Sequence, residues 1–258
     1  VETLYAGPLG EGPFAEAARQ ALEAIGVDHV GPLVPGDQGY CVAMTDARAE
    51  RTFVSTRGAE TRGPLDAFDH LEVRGDDVVY ISGYSLADEA SRVALERLVG
   101  RLAQDRVGCR ALFDVSPMVG SVPLPALERI GELEPIWSLN ERESGLLAAR
   151  LGWAVEAGDH ASTCEALSGL LGTVLVRAGE RGSWFADGGS ATRTPSIPVT
   201  PVDTNGAGDA HSGVLAAALA RGTDLATALR WANIAGALTT THFGPATCPS
   251  EAEIRALA

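Results

Sequence analysis

Residues 203 to 213 read Asp-Thr-Asn-Gly-Ala-Gly-Asp-Ala-His-Ser-Gly, a run whose residue types suit one chemistry. A Gly-Ala-Gly turn leads into a small-residue helix predicted over 210–220 (AHSGVLAAALA). The first turn of a helix leaves backbone N–H groups unpaired at the positive end of its dipole, a ready anion site. Gly206 and Gly208 allow close approach of a ligand and backbone angles closed to other residues. Asp209 then places a carboxylate on the anion-binding turn itself. A negative side chain beside bound phosphate makes sense if it takes a proton from an attacking hydroxyl, so the run points to phosphoryl transfer.

A structural explanation competes with this one. Small residues pack closely at turns, and Asp is ordinary in a first helical turn. The full eleven-residue run is more specific than its Gly-Ala-Gly-Asp core, and it resembles the C-terminal signature of the ribokinase-like (PfkB) carbohydrate kinases. The resemblance implies that Asp209 is the catalytic base and that the backbone amides of Gly206, Ala207 and Gly208 form the anion hole for the γ-phosphate. There is no G-x-x-x-x-G-K-[ST] loop, which excludes the P-loop route to the same chemistry.

The elements that must position this run alternate. Residues 2–6 read as a strand, followed by a helix over 13–25 that Gly26 is placed to end. Short apolar runs at 78–81, 110–113, 136–139 and 173–177 have the character of strands buried in a parallel sheet. Helices are predicted between them near 87–103, 124–130, 141–150 and 161–170, with another over 225–240. The expected fold is α/β, a doubly wound and mainly parallel sheet with helices on both faces. The chain lacks a Pro-, Gly- or Ser-rich linker and internal repeats, so one domain is expected over its 258 residues.

Residues 30–57 break the alternation. Three β-like runs, at 30–34, 39–45 and 51–56, follow one another without a helix, and Asp46-Ala47-Arg48-Ala49 reads as a hairpin turn. These runs suit an antiparallel edge of the main sheet. The resemblance implies instead a small β lid that excludes water during transfer. In some relatives such strands pair between subunits, so a homodimer through the lid is an expectation that exposed strand edges would favour.

Other matches fall in the family's order. Asn140-Glu141-Arg142-Glu143 closes a strand and opens a helix, with Asn140 as N-cap and Glu143 where a capping-box glutamate sits. The resemblance adds that Asn140 and Glu143 organise Mg²⁺ and the phosphates, usually through water, which suits an ion that keeps several waters. Gly179 and Gly182, in a turn after the strand at 173–177, would lie along the nucleotide, with Arg177 beside them. Asn233 matches a position near the adenine, with Gly236 on the same helix, although a polar residue in an apolar helix can equally bridge backbone. Asp203 matches a carboxylate that helps hold a monovalent cation, K⁺, together with carbonyls of the loop 242–248; it can equally be a turn residue bonding its own backbone. His211, two residues past the base, faces another direction and reads as a packed or surface histidine.

Two places depart from the family pattern. Relatives open with a strand bearing a substrate-binding Asp and a Gly-Gly-x-x-x-Asn motif, and neither is found ahead of Val1-Glu2-Thr3-Leu4-Tyr5. Asp114-Val115-Ser116-Pro117-Met118 stands where an Asp-x-Asn-x-Arg motif is common; only Asp114 matches. Both departures concern the acceptor.

The expected activity is therefore ATP-dependent transfer to a hydroxyl of a small sugar or sugar acid. A nucleoside kinase of the same fold is the alternative, with Phe53 able to stack on a base. A nucleotide-binding protein that has lost its acceptor half is another. A net charge of −14 argues against a nucleic-acid partner. Four scattered cysteines fit a reducing cytoplasm, and no apolar run approaches the ~20 residues a bilayer needs.

Overall fold

The computed structural model describes residues 1–45, 51–156 and 158–258. The expected hairpin turn at 46–49 lies outside the described residues. Two compact units emerge, one formed by Val1–Glu72 with Ser85–Arg101 and the other by Val73–Tyr84 with Leu102–Ala258.

In the first unit, β1 (Leu4–Tyr5) pairs in parallel with β2 (Asp28–His29), and α1 (Pro13–Ala24) lies between them in the chain. Pro13 stands at the first helical position, where its missing N–H is no loss. The next amides of α1 are satisfied from elsewhere, because the Asp37 carboxylate accepts from Phe14 N at 3.3 Å and Ala15 N at 2.9 Å. β3 (Cys41–Thr45) and β4 (Arg51–Ser55) form an antiparallel hairpin, with Cys41 opposite Ser55. Most of α2 (Glu89–Gln104) also belongs to this unit.

The strand expected over 30–34 is not present. That stretch contributes an isolated bridge between Leu33 and Leu9, and β2 ends before it. Pro32 and Pro35 cannot donate to a ladder. Gly31 is also pressed on the preceding chain, where a Cβ would stand 2.2 Å from the Ala6 carbonyl oxygen.

The second unit holds the main sheet: β5 (Val78–Ser82), β6 (Arg110–Asp114), β7 (Ile136–Asn140), β8 (Thr173–Arg177), β9 (Ser183–Asp187) and β10 (Thr192–Thr194). Among the described residues its order is β10-β9-β8-β7-β6-β5, with β5 to β8 parallel and β9 and β10 antiparallel. The antiparallel pair escapes a reading of apolar runs, because β9 and β10 are short and mixed in polarity.

Alternation along the strands gives the sheet two apolar faces. Leu112 and Leu175 point to α6 (Ala207–Ala220) and α7 (Leu225–Thr239), where they pack with Leu215, Leu219, Leu229 and Ala232. Phe113 and Trp137 point the other way, edge to face with ring centroids 5.2 Å apart. Beneath them lie α3 (Leu124–Gly131), α4 (Glu141–Arg150) and α5 (His160–Leu171). Each leucine fully buried in these layers contributes about 1.5–3 kcal/mol of transfer free energy. A last helix, α8 (Glu251–Leu257), opens on a Ser250–Glu253 capping box. No described helix is long and apolar enough to cross a membrane.

Candidate active site

The carboxyl ends of the parallel strands carry the polar residues. Ser82 closes β5, Asp114 β6, Asn140 β7 and Arg177 β8; Ser82 is in register with Asp114, and Asn140 with Arg177. In open α/β sheets this edge is where ligands bind. Arg177 and Leu175 share a face, so the guanidinium lies on the side covered by α6. Its two terminal nitrogens grip Asp114 as a fork, Nη1 to Oδ2 at 3.1 Å and Nη2 to Oδ1 at 3.2 Å. Ser212 of α6 donates to the same carboxylate at 2.9 Å.

Gly206 is the N-cap of α6 with φ 76° and ψ −6°, a left-handed conformation that a side chain disfavours. A Cβ there would stand 2.0 Å from the Pro245 carbonyl oxygen. The helix begins at Ala207, earlier than the 210 start expected from sequence, so Ala207, Gly208 and Asp209 all belong to its first turn. Side-chain oxygens cap α4, α5, α7 and α8, whereas α6 has no side-chain cap. Neither Gly206 here nor Pro123 at α3 gives a side-chain oxygen to the first-turn amides, and those of α6 lie at the carboxyl edge of the sheet.

Asp209 reaches solvent from this first turn. Partial desolvation, followed by the negative charge of Asp114, holds its pKa above the ordinary aspartate value, against the pull of Arg177. The carboxyl is thereby made more basic. Asp209 and Ser212 lie three apart on α6, on neighbouring positions of one face.

Asn140 and Glu143 form the capping box in full: Asn140 Oδ1 accepts from Glu143 N at 2.9 Å, and Glu143 Oε2 accepts from Asn140 N at 2.7 Å. Glu143 is buried, which raises its pKa, and Arg177 Nη2 lies 3.5 Å from its carboxylate. The capping role is thus present, and the carboxylate also faces the carboxyl edge. No three His, Cys, Asp or Glu side chains among the described residues gather as a metal cluster.

The remaining candidates take up supporting positions. Gly182, at φ 86°, packs on the chain after β10, where a Cβ would meet the Thr194 carbonyl at 2.1 Å; Gly179, at φ 54°, faces open space. Gly236 lets α7 approach α6, its would-be Cβ 3.2 Å from the Ala207 carbonyl. Asp203 accepts from Asn205 N and from Gly244 N, each at 3.0 Å, and so ties its own turn to the late loop. Asn233 is buried and donates to the carbonyls of Thr194 and Pro195 at 2.9 and 3.3 Å. Of the two roles its sequence leaves open, bridging is the one these bonds serve.

Because the Asn233 amide nitrogen donates, its oxygen accepts from His211 Nε2 at 3.1 Å, which fixes the tautomer of a buried histidine. Burial, with the nearby Arg177 charge, pushes the His211 pKa down to about 3 from 6.5. The folded state therefore favours the neutral ring, and this contribution is lost as pH falls below 6.5 towards 3. At pH 5 the expected loss from this group is about 2 kcal/mol. Urea midpoints of the wild type and His211→Gln at pH 7 and pH 5 check it. The variant should lose less stability on acidification; equal losses would remove His211 from the account.

Asp114 was legible only as a matching position and Ser212 not at all. Their meeting with Arg177 joins residues 63 and 98 apart in the chain, and spacing carries no sign of that.

Comparison with known proteins shows what the chain resembles as a whole. The chain is 29% identical over 254 residues to an uncharacterized sugar kinase (YegV) of Escherichia coli strain K12, covering 98% of this chain and 77% of that protein. It is 37% identical to the fructokinase of Vibrio alginolyticus, covering 98% of this chain and 84% of that one. Its fold matches a putative ribokinase II from E. coli in complex with ATP and Mg²⁺, with a TM-score of 0.79 at 22% identity over 99% of this chain and 82% of that one. Residues 1–252 match the family described as pfkB family carbohydrate kinase, and the chain belongs to that family.

Proposed function

We propose that this chain transfers the γ-phosphoryl group of MgATP to a hydroxyl of a small sugar or sugar acid. The observation that carries the reading is the uncapped start of α6, with Asp209 in its first turn. Asp209 takes the proton of the attacking hydroxyl, and its raised pKa suits it to that role. The amides of Gly206, Ala207 and Gly208 receive the charge on the transferring group; each such fixed donor is worth about 10²–10³ in rate.

Asn140 and Glu143 suit Mg²⁺ held largely through water, since they offer one buried carboxylate and an amide rather than a closed cage. When bound, the ion neutralises phosphate charge as a Lewis acid. Gly179, Gly182 and Gly236 stand on the nucleotide side, with Asn233 bracing the strand end behind them. Asp203 shapes the turn, and carbonyls of the late loop that it holds are the donors a potassium ion would take. The whole chain is read as one kinase domain with residues 30–57 as its lid. The ATP and Mg²⁺ of the putative E. coli ribokinase II and the name of the Vibrio alginolyticus fructokinase support the substrate classes.

The test is ADP release from MgATP across sugars, sugar acids and nucleosides, in potassium and in tetramethylammonium salts. Turnover with one sugar or sugar-acid class, absent without acceptor, is the expected result. Turnover confined to nucleosides would reassign the acceptor. Nucleotide binding without turnover on any of them would make the chain a binding protein.

A further inference from the structure

We propose that Arg177 is a positioning residue that locks the anion-binding turn to the magnesium-side helix, and that it does not contact the nucleotide itself. The proposal rests on the transfer reading above, and its geometry is independent of any ligand. The Arg177 side chain is only 13% exposed and is enclosed by three elements. It forks onto Asp114 at the end of β6, as described. Its Nη1 donates to the Gly208 carbonyl in the first turn of α6 at 3.3 Å, and Nη2 lies 3.5 Å from Glu143 of α4. A Cβ on Gly208 would stand 2.8 Å from Nη1, so glycine at this position is what allows the guanidinium to reach the turn.

Each contact bears on a different part of the proposed machinery. Holding the Gly208 carbonyl fixes the peptide plane that joins the last of the Gly-Ala-Gly residues to Asp209, and so holds the turn and the carboxylate together. The contact with Glu143 fixes the carboxylate on the metal side. Asp114 neutralises the buried cation and is itself held by Ser212, three residues past the base. A planar fork suits these partners as a point charge does not, so lysine is a poor substitute. With both terminal nitrogens engaged, Nε is the guanidinium nitrogen left without a partner, and it is buried.

Removing one member of a buried ion pair strands the other's charge, so unfolding of Arg177→Met alone would not bear on the proposal. Replacing Arg177, Asp114 and Ser212 together with apolar residues removes the forked pair whole, and Glu143 keeps its capping-box bonds with Asn140. The decisive variant is therefore Arg177→Met/Asp114→Leu/Ser212→Ala, with Arg177→Lys beside it. Three quantities are measured: the urea midpoint, kcat and KM for MgATP, and amide hydrogen exchange of residues 203–213 in nucleotide-free protein.

For the triple variant we expect a midpoint near wild type, KM within about threefold, and kcat down about 10²-fold. Exchange in the turn should be about tenfold faster. Arg177→Lys should show the same two defects in milder form. Should the triple variant fail to fold, Arg177→Lys decides by the same measurements. Recovery of kcat together with stability, unchanged exchange in the turn, or a KM effect without a kcat effect would each overturn the proposal. If the wild type transfers nothing to any acceptor, the transfer reading fails on its own, and the exchange measurement still judges whether Arg177 holds the turn.

Discussion

Asp209→Asn is expected to lower kcat by about 10²–10⁴-fold, the usual worth of a positioned general base, while leaving nucleotide affinity and the urea midpoint close to wild type. The asymmetry follows from where the carboxyl sits. Asp209 is exposed, and no folded element depends on its charge, so the amide is accommodated without repacking. Its loss is felt when a hydroxyl must give up its proton. The pH profile supplies a second mark. Desolvation and Asp114 raise the Asp209 pKa, so wild-type kcat/KM should fall on the acid side at a pH above the ordinary aspartate range. The residual activity of the variant should lack that limb. A variant retaining more than about a tenth of wild-type kcat would remove Asp209 from the base's role.

Gly206→Ala is expected to do harm of two kinds at once. The left-handed conformation at φ 76° costs a side chain about 1–2 kcal/mol, and the Pro245 carbonyl, 2.0 Å from the new Cβ, must move, adding about 1–3 kcal/mol. That carbonyl belongs to the loop that Asp203 ties down through Gly244 N, so it cannot withdraw freely. The turn yields instead, and with it the first-turn amides, so kcat should drop by about 10²–10³-fold. Gly188→Ala is the matched control: φ is 66°, and nothing lies within 4 Å of its would-be Cβ. Equal losses of stability and rate in the two variants would show that the close approach to Pro245 is irrelevant.

The parallel core of the sheet was legible because β5 to β8 are short apolar runs separated by helical stretches, a pattern that burial on both faces enforces. The two antiparallel strands were not, since Ser183 to Asp187 and Thr192 to Thr194 are mixed in polarity. Residues 30–34 misled in the opposite sense: the apolar character was real, but the prolines that cancel its ladder bonds were given too little weight. The turn and Asp209 could be read as one contiguous segment, because backbone donors and a nearby carboxylate are local features. Arg177, Asp114 and Ser212 form a unit through tertiary contact alone, and no local rule connects them. The capping box at Asn140 shows a third case, where the sequence offers a structural and a chemical role and the hydrogen bonds of the structural one are present.

The order of strands in the main sheet has a consequence for synthesis. From β5 to β8 each new strand adds to the edge left by the one before, and β9 and β10 follow without leaving that edge. A chain growing from the ribosome can therefore build its sheet progressively, as domains folding during translation do. The helices that cover the Leu112 and Leu175 face arrive only after all of these strands are complete. A nascent chain stalled before residue 203 would present a finished sheet with one bare apolar face, the state in which it most needs a chaperone. The docking of α6 ends that exposure and delivers the Gly-Ala-Gly turn to Arg177 in the same event, so the first phosphoryl transferred also reports that the chain has folded.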